Sequence, residues 1–249
     1  MARGSANGGK VRQQQERILW LDMARALAVV GMVVYHFTFD LAMFGYIPAP
    51  TPVTGFWAIF ARAVAGSFIA LAGFGLVLAH WRGIGWRRFW RRLGIVAAGA
   101  ALVSLATWFV MPGQFVFFGI LHSIALSSVI GLAFLRLHWV GMLGLAAAVI
   151  ALPQVWRDVI FDAPPLWFVG LSAHVRPSID FEPFFPWFGA FLIGMAVAKL
   201  MLSAGPMARS TPTPAMERVS FIGRHSLVIY LIHQPVLIGL FISWNWLNG

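Results

Sequence analysis

The sequence predicts an all-α, polytopic membrane bundle of about seven transmembrane helices, with the N-terminus inside and the C-terminus outside. Three observations carry that reading. First, the 249 residues are 60% hydrophobic and only 10% charged, whereas a soluble domain carries about 25% charged residues. Second, apolar runs long enough to cross a hydrocarbon core recur along the chain. Third, the basic residues collect in alternate gaps between those runs.

The elements follow in order. Residues 1–17, "MARGSANGGKVRQQQER", are small, polar and basic and lack the apolar core of a cleavable leader, so they read as a disordered cytoplasmic tail ahead of one membrane domain, 18–249. A span needs about 20 mainly apolar residues. Such runs lie at 18–42, 55–80, 93–111, 117–136, 139–156, 183–202 and 219–246. They are separated by the Pro- and Gly-rich stretches "GYIPAPTP", "MPGQ", "DAPP" and "GPMARSTPTP", which punctuate rather than continue a helix.

Lys and Arg are retained on the cytoplasmic side. With the N-terminus inside, that side holds Arg3, Lys10, Arg12, Arg17, Arg82, Arg87, Arg88, Arg91, Arg92, Arg136, Lys199, Arg209, Arg218 and Arg224. The outer loops keep Arg157 and Arg176, and Arg25 and Arg62 fall inside helices. The formal charge of +10 is therefore a mark of topology, not of nucleic-acid binding. Having no cysteine, the chain has no disulfide, no thiolate metal site and no thiol acyl carrier. No Gly-rich phosphate loop or internal repeat is present, and no helix pairs two His at i, i+4 with a carboxylate, so no metal is expected.

The first run, "LDMARALAVVGMVVYHFTFDL", carries Asp22, Arg25, His36 and Asp40. On a helix the eleven steps from Arg25 to His36 turn about 1100°, which returns to within ~20° of the same face about 16 Å farther along. Asp22 lies three residues before Arg25 and Asp40 four after His36, so one polar stripe runs the length of the helix. A charge near mid-bilayer costs at least about 2.5–3.5 kcal/mol and marks an interior site or partner. Other helices add Arg62; His122 with Ser123, Ser127 and Ser128; and Arg224, His225, Tyr230, His233 and Gln234. His122 follows an outward turn, at a depth similar to His36. Arg62 is a candidate counter-ion for Asp40 or for an anionic acceptor. The outer loop at 157–182, with Asp158, Asp162, Asp180, Glu182, Trp167 and His174, suits a polar ligand stacked on an aromatic ring. The stripe alone also fits a transporter, channel or flippase that conducts a proton or solute, or plain helix–helix hydrogen bonding.

The pattern Leu-Asp, then Arg, then ten residues, then His on a first span resembles the signature of the transmembrane acyltransferase superfamily. The stretches "YHFTFDLAMFGY", "FGILHSIALSS", "FEPFFPWFGAFLIGM" and "GRHSLVIYLIHQPVLI" are similar to the bacterial branch related to the heparan-α-glucosaminide N-acetyltransferase catalytic region. The resemblance spans residues 18 to about 240. Two departures stand out: Arg25 is followed by Ala26 where Gly is usual, and seven helices are fewer than in many relatives. The resemblance implies an enzyme of a bacterial inner membrane that moves an acyl group, most simply acetyl, from cytoplasmic acyl-CoA to a hydroxyl or amine of an extracytoplasmic glycan or lipid-linked sugar. It implies that Arg25 holds coenzyme A or the helix architecture and that His36 performs the transfer, as general base or acyl carrier.

On that footing acyl-CoA is the co-substrate, with no metal. Asp22, Arg25, Arg224, His233 and Gln234 are the candidate donor-binding residues. His36 acts with Asp40 fixing its tautomer, and His122 or Gln234 donates to the thioester oxygen. Arg62, Trp167 and Asp180 are candidates for the acceptor. Membrane lipids surround the bundle, and a homodimer is open to one of this size.

Overall fold

The computed structural model describes residues 19–205 and 213–248; the expected tail and Arg209 lie outside the described residues. Among the described residues there are eight α-helices, besides short 3-10 turns: α1 Leu19–Met43, α2 Gly55–His80, α3 Trp86–Val110, α4 Ile120–Gly131, α5 Trp139–Val155, α6 Phe184–Ser203, α7 Pro214–Arg224 and α8 Ser226–Asn248. No β-strand forms among the described residues, only two isolated bridges. Five helices, α1, α2, α3, α6 and α8, are long and apolar enough to cross a membrane, and α4 and α5 are shorter apolar helices. The molecule is a multi-pass membrane protein with a helical bundle.

The boundaries differ most from the sequence pattern at α3, at α4 and in the last run, and α4 also ends early, at Gly131, where the 3-10 turn Leu132–Phe134 follows. Helix α3 begins at Trp86, seven residues early, because Arg87, Arg88, Arg91 and Arg92 continue the helix; Arg is a good helix former and its long stem lets the charge reach a polar boundary. The run expected at 219–246 is two helices that meet at His225. The first of them, α7, carries Glu217, Arg218 and Arg224 on an amphipathic surface and packs against α1. Helix α4 starts only at Ile120, because Phe115–Phe118 is irregular and clipped to the loop at 157–182: Ile179 N–H donates to Gln114 O at 2.9 Å, Glu182 N–H to Phe118 O at 3.0 Å and the Ser178 hydroxyl to Phe115 O at 3.0 Å. Irregular backbone beside a bilayer needs its polar groups met by protein in this way.

Helix α6 sits at the centre, against α2, α4 and α5, while α1 leans on α2, α7 and α8. Phe191, Leu192 and Met195 of α6 are fully buried with Ile69 and Val77 of α2 and Met142 of α5. Lipid tails are as apolar as Leu, so close packing through small residues must hold such helices together. Gly73 and Gly194 show how: a methyl group on Gly73 would strike the Phe191 carbonyl, and one on Gly194 the Ala70 carbonyl. Helices α3 and α8 are the least covered, exposing Leu102, Leu105 and Phe109 on one and Val228, Ile232 and Leu240 on the other, the composition of a lipid-facing surface.

Candidate active site

The polar stripe of α1 is real, and its two ends meet different partners. At the N-terminal end Arg25 Nη1 donates to Asp22 Oδ1 at 2.9 Å, and the buried Asp22 also faces the Ser220 hydroxyl of α7 at 3.4 Å. The other face of the Arg25 guanidinium lies over Gly75, where it meets Arg92: a methyl group there would stand 3.4 Å from Arg25 Nη2 and 3.4 Å from Arg92 Nη1. Arg92 has no carboxylate partner among the described residues. Two guanidiniums turned to one spot, with one carboxylate between them, form a site for an anion.

That spot opens into a cavity of about 420 Å³. Arg25, Arg88, Arg91 and Arg92 line one end, while Phe68, Leu71, Ile95, Val96, Leu121 and Ile124 form apolar walls, and Ser226, Leu227 and Tyr230 close it along α8. The shape is that of a ligand site with an apolar bore and a few fixed polar groups. At its far wall the Tyr230 hydroxyl donates to Asp180 Oδ2 at 3.2 Å, an oxygen that also accepts from Ile120 N–H at 3.3 Å. Asp180 lies so close to Gly119 that a methyl group there would collide with its carboxylate. Burial lifts the Asp180 carboxyl above its usual range, against the pull of those two hydrogen bonds. Glu182, two residues on, is pushed well above its usual range by burial and then by the Asp180 charge, with Arg62 drawing it back.

One turn along α8 from Tyr230 lies the second cluster. The rings of His36 and His233 are 4.8 Å apart, edge to face. Gln234 Nε2 donates to Asp40 Oδ1 at 2.7 Å, and His233 Nδ1 contacts the Tyr230 carbonyl at 2.8 Å. Asp40 therefore does not orient His36, as the i, i+4 spacing predicts; its carboxylate is taken by α8, whose amide reaches it across the helix interface. Buried and without a hydrogen-bond partner are His36 Nδ1, Asp40 Oδ2, Glu182 Oε2, His233 Nε2 and Gln234 Oε1. Ser123 Oγ and Ser127 Oγ of α4 are buried and unpaired as well. Buried polar atoms in native proteins are normally paired, so the four of these residues that meet where α1 crosses α8, His36, Asp40, His233 and Gln234, mark where a ligand's polar groups belong.

The other expected residues are placed as follows. His122 keeps to α3 and the start of α4: its Nδ1 accepts from Gly119 N–H at 3.2 Å and its Nε2 is 3.3 Å from the Ser104 hydroxyl. Both ring nitrogens are used, and the ring stacks near Phe118 rather than His36. Arg62 is exposed and acts on Glu182, not on Asp40. Arg224 is exposed beside Phe221 and does not line the cavity. Trp167 belongs to the outer loop, its indole N–H donating to Asp162 O at 2.7 Å and its ring lying 5.1 Å from the Arg176 guanidinium. In the same loop His174, through its backbone N–H and its ring, holds the Asp162 carboxyl below its ordinary range. Sequence reasoning singled out neither Arg92 nor Tyr230: it took Arg92 together with its basic neighbours, and Glu182 together with the loop at 157–182. The signal for Tyr230 was present, since it stands at i, i+3 to His233.

The model of the family described as "Heparan-alpha-glucosaminide N-acetyltransferase, catalytic" matches residues 17–235. No curated protein and no solved structure gives a significant match.

Proposed function

The chain belongs to the heparan-alpha-glucosaminide N-acetyltransferase catalytic family, and from that premise we propose that it transfers an acyl group, most simply acetyl, from acyl-CoA on the cytoplasmic side to a hydroxyl or amine of an extracytoplasmic glycan or lipid-linked sugar. The observation that supports the proposal is that Tyr230, which lines the Arg-edged apolar cavity, also holds by its carbonyl the His233 ring that faces His36. A coenzyme A thioester is a phosphate-rich head on a thin, weakly polar arm. Arg25 and Arg92 offer guanidiniums to the phosphates, and the bore between α2, α3, α4 and α8 suits the arm. The acyl carbon then arrives beside His36, which acts directly on the transfer, with the Tyr230 hydroxyl at the cavity wall.

The reading also accounts for the topology. With the N-terminus inside, the basic start of α3 faces the compartment that makes acyl-CoA, and the loop carrying Trp167 and Asp180 faces the acceptor. In a bacterial cell this is the inner membrane.

The test is release of free coenzyme A from acetyl-CoA by the purified full chain in lipid nanodiscs. His36→Ala is expected to lower turnover by about 10² or more, as loss of either a positioned acid–base group or a hydrogen-bond donor to the thioester oxygen would. Full activity in that variant overturns the role of His36. Movement of solute in sealed vesicles with no thioester consumed would favour a transporter instead.

A further inference from the structure

The imidazoles whose Nδ1 meets a backbone group fall into two groups according to where their proton must sit. His80, His122 and His138 each accept a backbone N–H at Nδ1, from Gly85, Gly119 and Val140. A neutral imidazole has one donor and one acceptor nitrogen, so these three carry their proton on Nε2. His233 is the reverse. Its Nδ1 lies 2.8 Å from the Tyr230 carbonyl oxygen, which can only accept, so the proton is on Nδ1 and Nε2 bears a free lone pair. His225 shares that contact, with Phe221 O at 2.8 Å, but is exposed at the end of α7. His233 is buried, and its Nε2 has no partner.

The atoms in the same cluster have the same bias. Gln234 spends its amide N–H on Asp40 Oδ1, which leaves Gln234 Oε1 and Asp40 Oδ2 as acceptors, both buried and unpaired. Three buried acceptors therefore lack a donor along this stretch of the α1–α8 interface, where the rings of His36 and His233 meet. A hydroxyl or amine of an incoming sugar supplies that donor. A thioester, which has no N–H or O–H at its reacting end, does not.

Resting on the acyl-transfer reading above, we propose that His233, rather than His36, is the proton acceptor of the reaction, and that the acceptor's nucleophilic group binds between His233 Nε2, Asp40 and Gln234. The Tyr230 carbonyl fixes the tautomer and ring direction, the task a carboxylate performs for many catalytic histidines. In a direct transfer the nucleophile's oxygen or nitrogen forms a bond to the thioester carbonyl carbon while its proton passes to His233 Nε2, giving an imidazolium. Collapse of the tetrahedral adduct breaks the carbon–sulfur bond. The departing thiolate takes the proton from Nε2, which releases coenzyme A as its thiol and restores neutral His233. His36 is left free to hydrogen-bond the carbonyl oxygen.

The experiment measures free thiol released from acetyl-CoA by the full chain in nanodiscs, with water alone as acceptor and with glucosamine or glucose added. His233 does not line the donor cavity. His233→Ala is therefore expected to lose about 100-fold or more in kcat with the KM for acetyl-CoA unchanged, and added imidazole is expected to restore part of the rate. His233→Gln keeps an N–H for the Tyr230 carbonyl and serves as the folded control; it should bind acetyl-CoA normally and remain inactive. Activity of either variant within threefold of wild type overturns the assignment and leaves the acyltransferase reading standing. A raised KM with no rescue by imidazole overturns it in favour of a structural histidine. Absence of thiol release by the wild type with every acceptor overturns the acyltransferase reading itself.

Discussion

Arg25 and Arg92 stand on different helices, yet both guanidiniums rest over Gly75. Like charges brought together without a carboxylate for each are held there by the fold and relieved by an anion. Hydrogen bonds to a charged group contribute about 1.5–3 kcal/mol each, so Arg92→Ala is expected to weaken acetyl-CoA binding by about tenfold or more, measured by isothermal titration in nanodiscs. Arg224→Ala, which alters an exposed residue away from the cavity, should leave the affinity unchanged. The reverse result would move the anion site to α7. The contrast shows what a sequence conveys at this scale. Asp22, Arg25, His36 and Asp40 were legible as one stripe because helical periodicity relates residues on the same helix. The pairing of Asp40 with Gln234 and of Arg25 with Arg92 depends on how helices cross, which no spacing along one segment encodes.

At the level of elements, apolar run length located the helices well, and the misplaced ends share one cause. Hydropathy counts apolar residues, so it ends a helix where charge begins. The Arg-rich first turns of α3 and the amphipathic α7 are helical despite their charge, and the apolar Phe115–Phe118 is not helical because its backbone groups are engaged by the outer loop. What holds the elements together is also invisible to hydropathy. Gly194 brings α6 onto the Ala70 carbonyl of α2, at the heart of the bundle. Gly194→Leu forces those helices apart, and overpacking of this kind costs about 1–3 kcal/mol; a fall in the thermal midpoint of the detergent-solubilised protein is the expected outcome. Gly144→Ala provides the contrast on α5, where nothing lies within 4 Å of the added methyl group and the site is exposed. There the better helix propensity of Ala should leave stability unchanged or raise it. Equal destabilisation by both would refute close α2–α6 packing as the source.

For the whole molecule, the proposed reaction, with its acyl donor and its acceptor on opposite sides of a membrane, imposes a polarity that every part must obey. The basic end of the cavity, at Arg88, Arg91 and Arg92, has to open to the side where acyl-CoA is made. The segment holding Asp180 and Trp167 has to close the other end. Arg82 lies in the short link between α2 and α3, next to the basic end, and His174 lies in the outer loop; both are exposed. Because the chain has no cysteine, a single introduced thiol reports its own position without background. In intact cells a membrane-impermeant maleimide is expected to label His174→Cys at once, and to reach Arg82→Cys only after the membrane is permeabilised. The same polarity follows from the retention of Lys and Arg on the cytoplasmic side, so charge and chemistry make one prediction. Labelling of Arg82→Cys from outside would turn the bundle over, place the guanidinium pair where no acyl-CoA is available, and remove the physical basis for reading the cavity as its binding site.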